Sequence, residues 1–215
     1  MLYLLSLILI IASAYAGQWP KGSYTLVKPR SGCPSGWWEG WRKQDNEDER
    51  PNNGITFGHN FYGSFGKDMV FYYCTKDGHV PGTEHWPKGN YCILRQGVSC
   101  PPGFHMGSVL WDDEDKRNSN DGGGVLPSGT YNKDTLINYC CRNDGSPRTK
   151  ITLPTDVPFY LLRFRSSCQE VQGMRVKEEH VKSDDEDNRN KSSVSGYHPM
   201  RTGGKDTMLY YCYYY

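Results

Sequence analysis

Three acidic clusters, each followed by an asparagine-rich stretch, are the most conspicuous candidate chemistry in this sequence. Alternating carboxylates and amides can supply the roughly six to eight oxygen ligands that Ca²⁺ requires. The same side chains also accept hydrogen bonds from turn amides and cap loops. Because a binding site need exist only once and these clusters occur three times, we expect a structural role and keep calcium binding as the alternative. The clusters comprise Asp45, Glu47 and Asp48; Asp112, Asp113, Glu114 and Asp115; and Asp184, Asp185, Glu186 and Asp187.

A second candidate site is a group of three tryptophans, Trp37, Trp38 and Trp41. If this segment is a strand, the two adjacent residues face opposite sides, so at least one is expected at the surface or at a packing seam. An exposed indole is a platform on which a sugar ring can stack. The alternative is that these rings pack between structural units. We therefore take the three tryptophans as candidate ligand-binding residues.

Recognisable catalytic motifs are missing from the sequence. A glycosidase needs two carboxyl groups about 5 to 10 Å apart, and the many acidic residues single out no such pair. There is no Gly-x-Ser-x-Gly motif, no glycine-rich phosphate loop, and no His-x-x-x-His among the six histidines. The net charge of only +1 argues against a nucleic-acid partner. We expect a protein without catalysis and, calcium apart, without a cofactor.

The beginning of the chain has the pattern of a secretory signal peptide. Residues 2–12 are almost entirely apolar, and Ala14-Tyr15-Ala16 follows as a small-x-small cleavage site. The run is short for a membrane span, although a membrane anchor is the alternative because no Lys or Arg precedes it. We predict a signal peptide over 1–16 and a secreted, extracellular protein without stable membrane insertion.

Secretion changes the interpretation of the eight cysteines. An even number in an oxidising compartment indicates disulfides, and no Cys-x-x-Cys spacing favours zinc or redox chemistry. A glycosylation sequon, Asn190-Lys191-Ser192, also fits this compartment and predicts an exposed loop at Asn190.

The elements that position these residues come from an internal repeat. Lys-Asp, five residues and then Cys recur at Lys67 to Cys74, Lys133 to Cys140 and Lys205 to Cys212. Each copy has the order opening strand, first Cys, second strand, acidic cluster, polar loop, third strand and last Cys. Short β-branched and aromatic runs bounded by Gly, Asn and Asp predict strands, and no segment has convincing helical periodicity. We therefore predict one domain over 17–215, made of three repeats over 19–74, 86–141 and 153–212.

Three pseudo-symmetric β repeats that cannot each bury a face alone should pack around a threefold axis. We expect an all-β, disulfide-stapled fold that is β-prism-like, with a β-trefoil as the alternative. If equivalent cysteines do equivalent jobs, the pairs are Cys33 with Cys74, Cys100 with Cys140, and Cys168 with Cys212, which leaves Cys92 for Cys141. Because Cys140 and Cys141 are adjacent, which of them pairs with Cys100 stays open.

The sequence resembles the apextrin C-terminal domain, ApeC, over essentially the whole predicted mature chain. The resemblance implies a secreted protein without known catalysis, whose relatives recognise bacterial cell walls, notably peptidoglycan and its muramyl fragments, in innate immunity, or act in apical matrix and adhesion. It implies no ligand residues by position. The repeat pattern is also similar to that of vitelline-membrane outer-layer proteins, which have a β-prism fold. The resemblance is carried by Trp86-Pro-Lys-Gly-Asn-Tyr-Cys92, Cys100-Pro-Pro-Gly-Phe104, Trp111-Asp-Asp-Glu-Asp115, Leu126-Pro-Ser-Gly129, Asn138-Tyr-Cys-Cys-Arg-Asn-Asp-Gly145, Phe159-Tyr-Leu-Leu-Arg163, Gly173-Met-Arg-Val176 and Asp184-Asp-Glu-Asp187.

We therefore expect a non-catalytic pattern-recognition protein that binds bacterial cell-wall glycan. The alternative is a structural or adhesive protein of extracellular matrix or mucus.

Overall fold

The computed structural model describes residues 17–46, 52–82, 85–114, 116–185 and 190–215. Regular secondary structure in these ranges consists of strands, which confirms the all-β prediction. In this part of the chain no helix is long and apolar enough to cross a bilayer. The predicted signal peptide at 1–16 lies outside the described residues, as do Glu47, Asp48, Asp115, Glu186 and Asp187 of the acidic clusters.

Fifteen strands are found in the described residues, five in each repeat. Repeat 1 contains β1 (Tyr24–Val27), β2 (Trp38–Gln44), β3 (Gly54–Ile55), β4 (Gly63–Phe65) and β5 (Met69–Lys76). Repeat 2 contains β6 (Asn90–Arg95), β7 (His105–Trp111), β8 (Asp121–Gly124), β9 (Gly129–Tyr131) and β10 (Thr135–Asn143). Repeat 3 contains β11 (Phe159–Arg163), β12 (Val176–Ser183), β13 (Ser193–Gly196), β14 (Arg201–Thr202) and β15 (Thr207–Tyr214).

The same antiparallel pairings recur in each repeat. The last strand lies between the opening strand and the second strand, as β1·β5·β2, β6·β10·β7 and β11·β15·β12. A short strand adds to each last strand, as β4, β9 and β14. The opening strands also join the repeats, because β6 pairs with both β1 and β11.

The strand in each polar loop leaves its own repeat and joins another one. β8 of repeat 2 pairs with β2, β13 of repeat 3 pairs with β7, and β3 of repeat 1 pairs with β12. This exchange is cyclic, so each repeat contributes one edge strand and receives one. The boundary at which a received strand meets its host is called a seam below, and each seam is named by the two repeats that form it.

The opening strands lie between two hydrophobic clusters. In β6, Tyr91 and Ile93 enter one cluster, while Cys92 and Leu94 enter the other. Because successive side chains of a strand point to opposite faces, a strand that is buried on both faces is apolar nearly throughout. This is why the opening strands read as continuous apolar runs, whereas β2, β7 and β12 alternate.

Four disulfides tie the strands together, and the described residues contain no free cysteine. They join Cys33 to Cys74, Cys100 to Cys140, Cys168 to Cys212, and Cys92 to Cys141, which are the pairs expected from the repeat. Cys140 rather than Cys141 is therefore the partner of Cys100. The first three bonds link the segment before each second strand to the end of the last strand, and so hold the loops around the start of β2, β7 and β12.

Candidate functional site at the seam between repeats 1 and 2

The three tryptophans singled out in the sequence have different environments. Trp37 is buried, with its ring 5.2 Å from that of Trp19 and 5.5 Å from that of Tyr24. Trp41 is half-buried beneath β8, where a Cβ added at Gly123 would lie 3.0 Å from its Nε1. Trp38 is 60% exposed. The structure therefore leaves one of the three rings broadly open to solvent, and that ring belongs to the adjacent pair.

Trp38 lines a cleft of about 710 Å³ at the seam between repeats 1 and 2. It is the first residue of β2 and stands opposite Thr75 near the end of β5, next to the start of β1. The facing side is the loop that follows β6, which Cys100 ties to β10. The lining residues are Gly22, Ser23, Trp38, Thr75, Asp77, Gln96, Gly97, Val98, Ser99, Cys100, Pro101, Pro102 and Val125.

Polar groups with fixed orientations line the same cleft. The hydroxyls of Thr75 and Thr25 are hydrogen-bonded at 2.8 Å, and Thr25 Oγ1 also donates to Gln96 Oε1 at 3.4 Å. Asp77 accepts from the backbone N–H and the ring of His79 at 3.1 and 2.9 Å. These bonds from His79 lower the pKa of Asp77, so this carboxyl is ionised at neutral pH. The cleft thus combines an aromatic face, several neutral hydrogen-bonding groups and one negative charge.

The first aspartate of each acidic cluster holds two repeats together. Asp45 Oδ2 accepts from the backbone N–H of Ser119 at 2.6 Å, and Asp112 Oδ2 accepts from that of Lys191 at 2.6 Å. Asp184 Oδ2 accepts from the backbone N–H of repeat 1 at Asn52, at 2.5 Å. In each case the donor lies in the polar loop that another repeat contributes. Loop capping thus accounts for the threefold recurrence of this residue.

The second position of the clusters is buried. Asp113 accepts hydrogen bonds from Gln44 Nε2 at 2.7 Å, Asn120 Nδ2 at 2.7 Å and Thr135 Oγ1 at 2.5 Å. Asp185 accepts from Thr207 Oγ1 at 2.5 Å. Burial raises the pKa of Asp113 to about 6 and that of Asp185 to about 7.

Calcium binding by the clusters stays a prediction. Glu114 accepts from the backbone N–H of Lys116 at 2.7 Å, which is again a loop contact. Among the residues that the structure describes, no three His, Cys, Asp or Glu side chains are grouped so that they could hold a metal ion.

Asn190 lies in one of the contributed loops. Its Nδ2 donates to the Lys205 carbonyl at 3.2 Å, and its Oδ1 accepts from the backbone N–H of Ser192 at 2.7 Å. The side chain therefore stabilises a turn, and glycosylation of Asn190 stays a prediction.

Several residues of the cleft were not found by reasoning from the sequence. Val125 reaches it because β8 crosses to repeat 1, and Gln96 and Val98 because the loop after β6 packs beside β1 and β5. None of them belongs to a motif. A signal was nevertheless present, since superimposing the three repeats places Trp38 where repeat 2 has His105 and repeat 3 has Lys177.

Comparison with known proteins identifies the family. The family model described as the C-terminal domain of apextrin, ApeC, matches residues 19–214. The chain belongs to the ApeC family. No curated protein and no solved structure matches it. The ApeC match spans all three repeats and therefore both sides of the Trp38 cleft.

Proposed function

We propose that this ApeC chain is a secreted recognition protein that binds bacterial cell-wall glycan, peptidoglycan or its muramyl fragments, in innate immunity, without catalysis. The observation that carries the proposal is Trp38, a largely exposed indole on the side of a cleft of about 710 Å³. The four disulfides fit an extracellular protein.

The cleft suits a sugar in size and chemistry. Small-ligand sites typically have volumes of about 300 to 1,000 Å³ and combine apolar surface with a few placed polar groups. The C–H face of a pyranose ring packs against an indole, and the hydroxyls then need donors and acceptors nearby. Gln96, Ser99 and Asp77 supply such groups. An exposed tryptophan elsewhere on a sheet would offer a stacking surface without these hydrogen-bonding groups.

The same groups support recognition rather than hydrolysis. Glycoside hydrolysis needs a pair of carboxyl groups, one of which is protonated at working pH. Asp77 is the one carboxyl among the lining residues, and its pKa is lowered rather than raised. A chain that binds glycan here would therefore hold it without cleaving it.

A structural or adhesive role in extracellular matrix or mucus is the second candidate. It is favoured by Phe57, a fully exposed phenylalanine at the tip of the loop that repeat 1 contributes, and by the exposed Val98. Large exposed apolar side chains of this kind suit contacts with another protein.

We infer that the chain folds as a β-prism rather than a β-trefoil. Each repeat assembles four neighbouring strands, for example β1, β5, β2 and the received β8, and the three sets follow one cyclic order. Four-stranded sets of this kind suit the three faces of a prism. A crystal structure in which paired hairpins close a barrel under a hairpin cap would favour the trefoil.

Retention on insoluble peptidoglycan tests the binding proposal. We expect the chain to be retained at physiological salt and Trp38→Ala to lose about ten-fold in affinity, because stacking contributes about 1 kcal/mol beyond area burial. Phe57→Ala is the matched control, since it removes a fully exposed aromatic ring outside the cleft. Absence of retention of the parent chain would favour the matrix role, and equal losses in both variants would contradict a site at Trp38.

A further inference from the structure

The seam between repeats 2 and 3 is filled by an aromatic side chain, that of Tyr197. Tyr197 follows the contributed strand β13, and its ring centroid lies 4.5 Å from that of His105. On its other side it lies 5.6 Å from Phe164 and parallel to it within 5°. Tyr197 is thus sandwiched between side chains of two repeats.

Backbone hydrogen bonds show that Tyr197 and Val125 hold the same position at their seams. Val125 N–H donates to the Glu39 carbonyl at 3.0 Å, and Tyr197 N–H donates to the Met106 carbonyl at 2.9 Å. Glu39 and Met106 are both the second residue of the host strand. The seam between repeats 1 and 2, with Val125, can therefore be compared residue by residue with the seam between repeats 2 and 3, with Tyr197.

The neighbours of these two residues also correspond. Trp38 and His105 are the first residues of β2 and β7, and Gln96 and Phe164 are the first residues after β6 and β11. At the seam between repeats 1 and 2, the sandwich of His105, Tyr197 and Phe164 is thus replaced by Trp38, Val125 and Gln96. Trp38 thus keeps an aromatic ring at the position of His105. The aliphatic Val125 stands in place of the central Tyr197 ring, and the polar Gln96 stands in place of Phe164.

The seam between repeats 3 and 1 is closed in a different way. Lys177 takes the position of Trp38, and its Nζ bonds to the Gly58 carbonyl at 2.8 Å and to Glu179 at 3.0 Å. His59 lies in the loop that repeat 1 contributes, and its ring packs 5.3 Å from Phe65. Of the three seams, the one at Trp38 therefore keeps a ring-sized space open beside an aromatic side chain.

We propose that this space is a slot for one pyranose ring of a neutral or amino sugar, stacked on Trp38 where Tyr197 stacks on His105 at the next seam. The inference rests on the proposed function and narrows it to one sugar unit. Val125 and Gln96 flank the ring, and Gln96 and the exposed Ser99 bond its polar groups. In a cell-wall glycan the fitting unit is the glucosamine residue rather than the carboxylate-bearing muramic acid.

The charge of the lining supports that choice. Asp77 is the single charged residue of the thirteen, all of which are described. Lys76, the neighbouring cation, is buried behind this surface, where its Nζ bonds to the Val80 carbonyl at 2.7 Å. A sugar carboxylate would thus meet a negative charge, whereas an amino group would be attracted to it.

Filling the slot from within tests its position. Val125→Tyr introduces the ring that the equivalent site carries, so we expect the variant to fold and to lose at least ten-fold in binding to peptidoglycan. Val194→Tyr, the same change at an exposed position of β13, is the control and should bind as the parent does. Unchanged binding by a folded Val125→Tyr variant would overturn the slot.

Competition by single sugars tests its chemistry. Protein bound to peptidoglycan is displaced with N-acetylglucosamine, glucosamine or N-acetylmuramic acid, which share the ring but differ in charge. We expect N-acetylmuramic acid to be the weakest competitor by about three-fold or more, and Asp77→Asn to remove most of that difference.

The outcomes separate this inference from the proposed function. Retention that depends on Trp38 but is released best by N-acetylmuramic acid would overturn the inference and leave glycan binding standing. Absence of retention on peptidoglycan would overturn both.

Discussion

At the residue scale, Asp113 and Asp185 are two buried carboxyl groups with raised pKa values. Each occupies the second position of an acidic cluster, where the first repeat has Asn46. An amide at that position supports the structural role, because it keeps the hydrogen-bonding capacity without the cost of a buried charge. Burial disfavours the ionised form of the two aspartates, and this raises the pKa of Asp113 to about 6 and that of Asp185 to about 7.

Stability should consequently fall between pH 5 and pH 8. The unfolded chain releases these protons near pH 4 and the folded chain near pH 6 to 7, so the stabilisation is full below pH 4 and is lost as pH rises through the folded values. The folded pKa of Asp185, about 7, lies about two units above pH 5, so between pH 5 and pH 8 this residue alone accounts for a loss of about 3 kcal/mol, at about 1.4 kcal/mol per pKa unit. We expect the melting temperature to drop by roughly 5 °C or more over this range.

Asp185→Asn is the informative variant for that effect. It should flatten the profile measured by differential scanning calorimetry, because the amide imitates Asn46 of the first repeat. The exposed Asp156→Asn serves as control and should leave the slope unchanged. A melting temperature that rises from pH 5 to pH 8 would be inconsistent with the buried carboxyls.

The sequence led us to expect at least one of the adjacent Trp37 and Trp38 at the surface or at a packing seam, and Trp38 is exposed, although Trp37 lies just before β2. The sequence did not predict which of them would be buried, since that depends on the pairing register between β2 and β5. The acidic clusters show the same limit. Their structural role followed from recurrence, but the donors at Ser119, Lys191 and Asn52 belong to other repeats, and no local pattern reveals contacts across about 70 to 130 residues.

At the scale of elements, the exchanged strands decide the geometry of the cleft. β8 approaches β2 so closely that a Cβ at Gly40 would collide with the Val125 backbone, and Gly107 stands in the same relation to Tyr197. Repeat 3 has Glu179 at this position instead. Its carboxylate accepts from Asn60 N–H at 3.0 Å, from Asn60 Nδ2 at 2.8 Å and from the Tyr160 hydroxyl at 2.5 Å.

Gly40→Ala should therefore separate β8 from β2. We expect a loss of about 2 kcal/mol in the free energy of unfolding, in the range known for overpacking, together with weaker glycan binding because Val125 moves. Gly66→Ala is the matched control, since a Cβ there meets no atom within 4 Å. Chemical denaturation of both variants measures the difference, and equal stability of the two would contradict the close approach.

The exchanged strands were also the elements least visible in the sequence. β3, β8 and β13 have only two to four residues and are polar or glycine-rich, so they carry neither alternation nor β-branched enrichment. They form strands because a neighbouring edge supplies their hydrogen bonds. The longer β5, β10 and β15 carry apolar alternation and were predicted.

At the scale of the whole molecule, three copies of one unit share a framework and differ at their seams. The framework was accessible from sequence because it recurs: the strand order and the disulfide pairs follow from equivalence of the repeats. The seams could not be predicted from the sequence, because they depend on residues that differ between the repeats. Val125 corresponds to Tyr197, and Trp38 corresponds to His105. Function in such a molecule is expected where one copy departs from the other two.

Fluorine NMR of the chain labelled with 5-fluorotryptophan tests the central claim most directly, because each of the six tryptophans gives its own signal. Trp38→Phe assigns one of them, and soluble peptidoglycan fragments are then titrated in. The account predicts that the Trp38 signal shifts saturably while those of the buried Trp19, Trp37, Trp86 and Trp111 stay in place. Titration that leaves Trp38 unmoved, or moves another tryptophan instead, would contradict it.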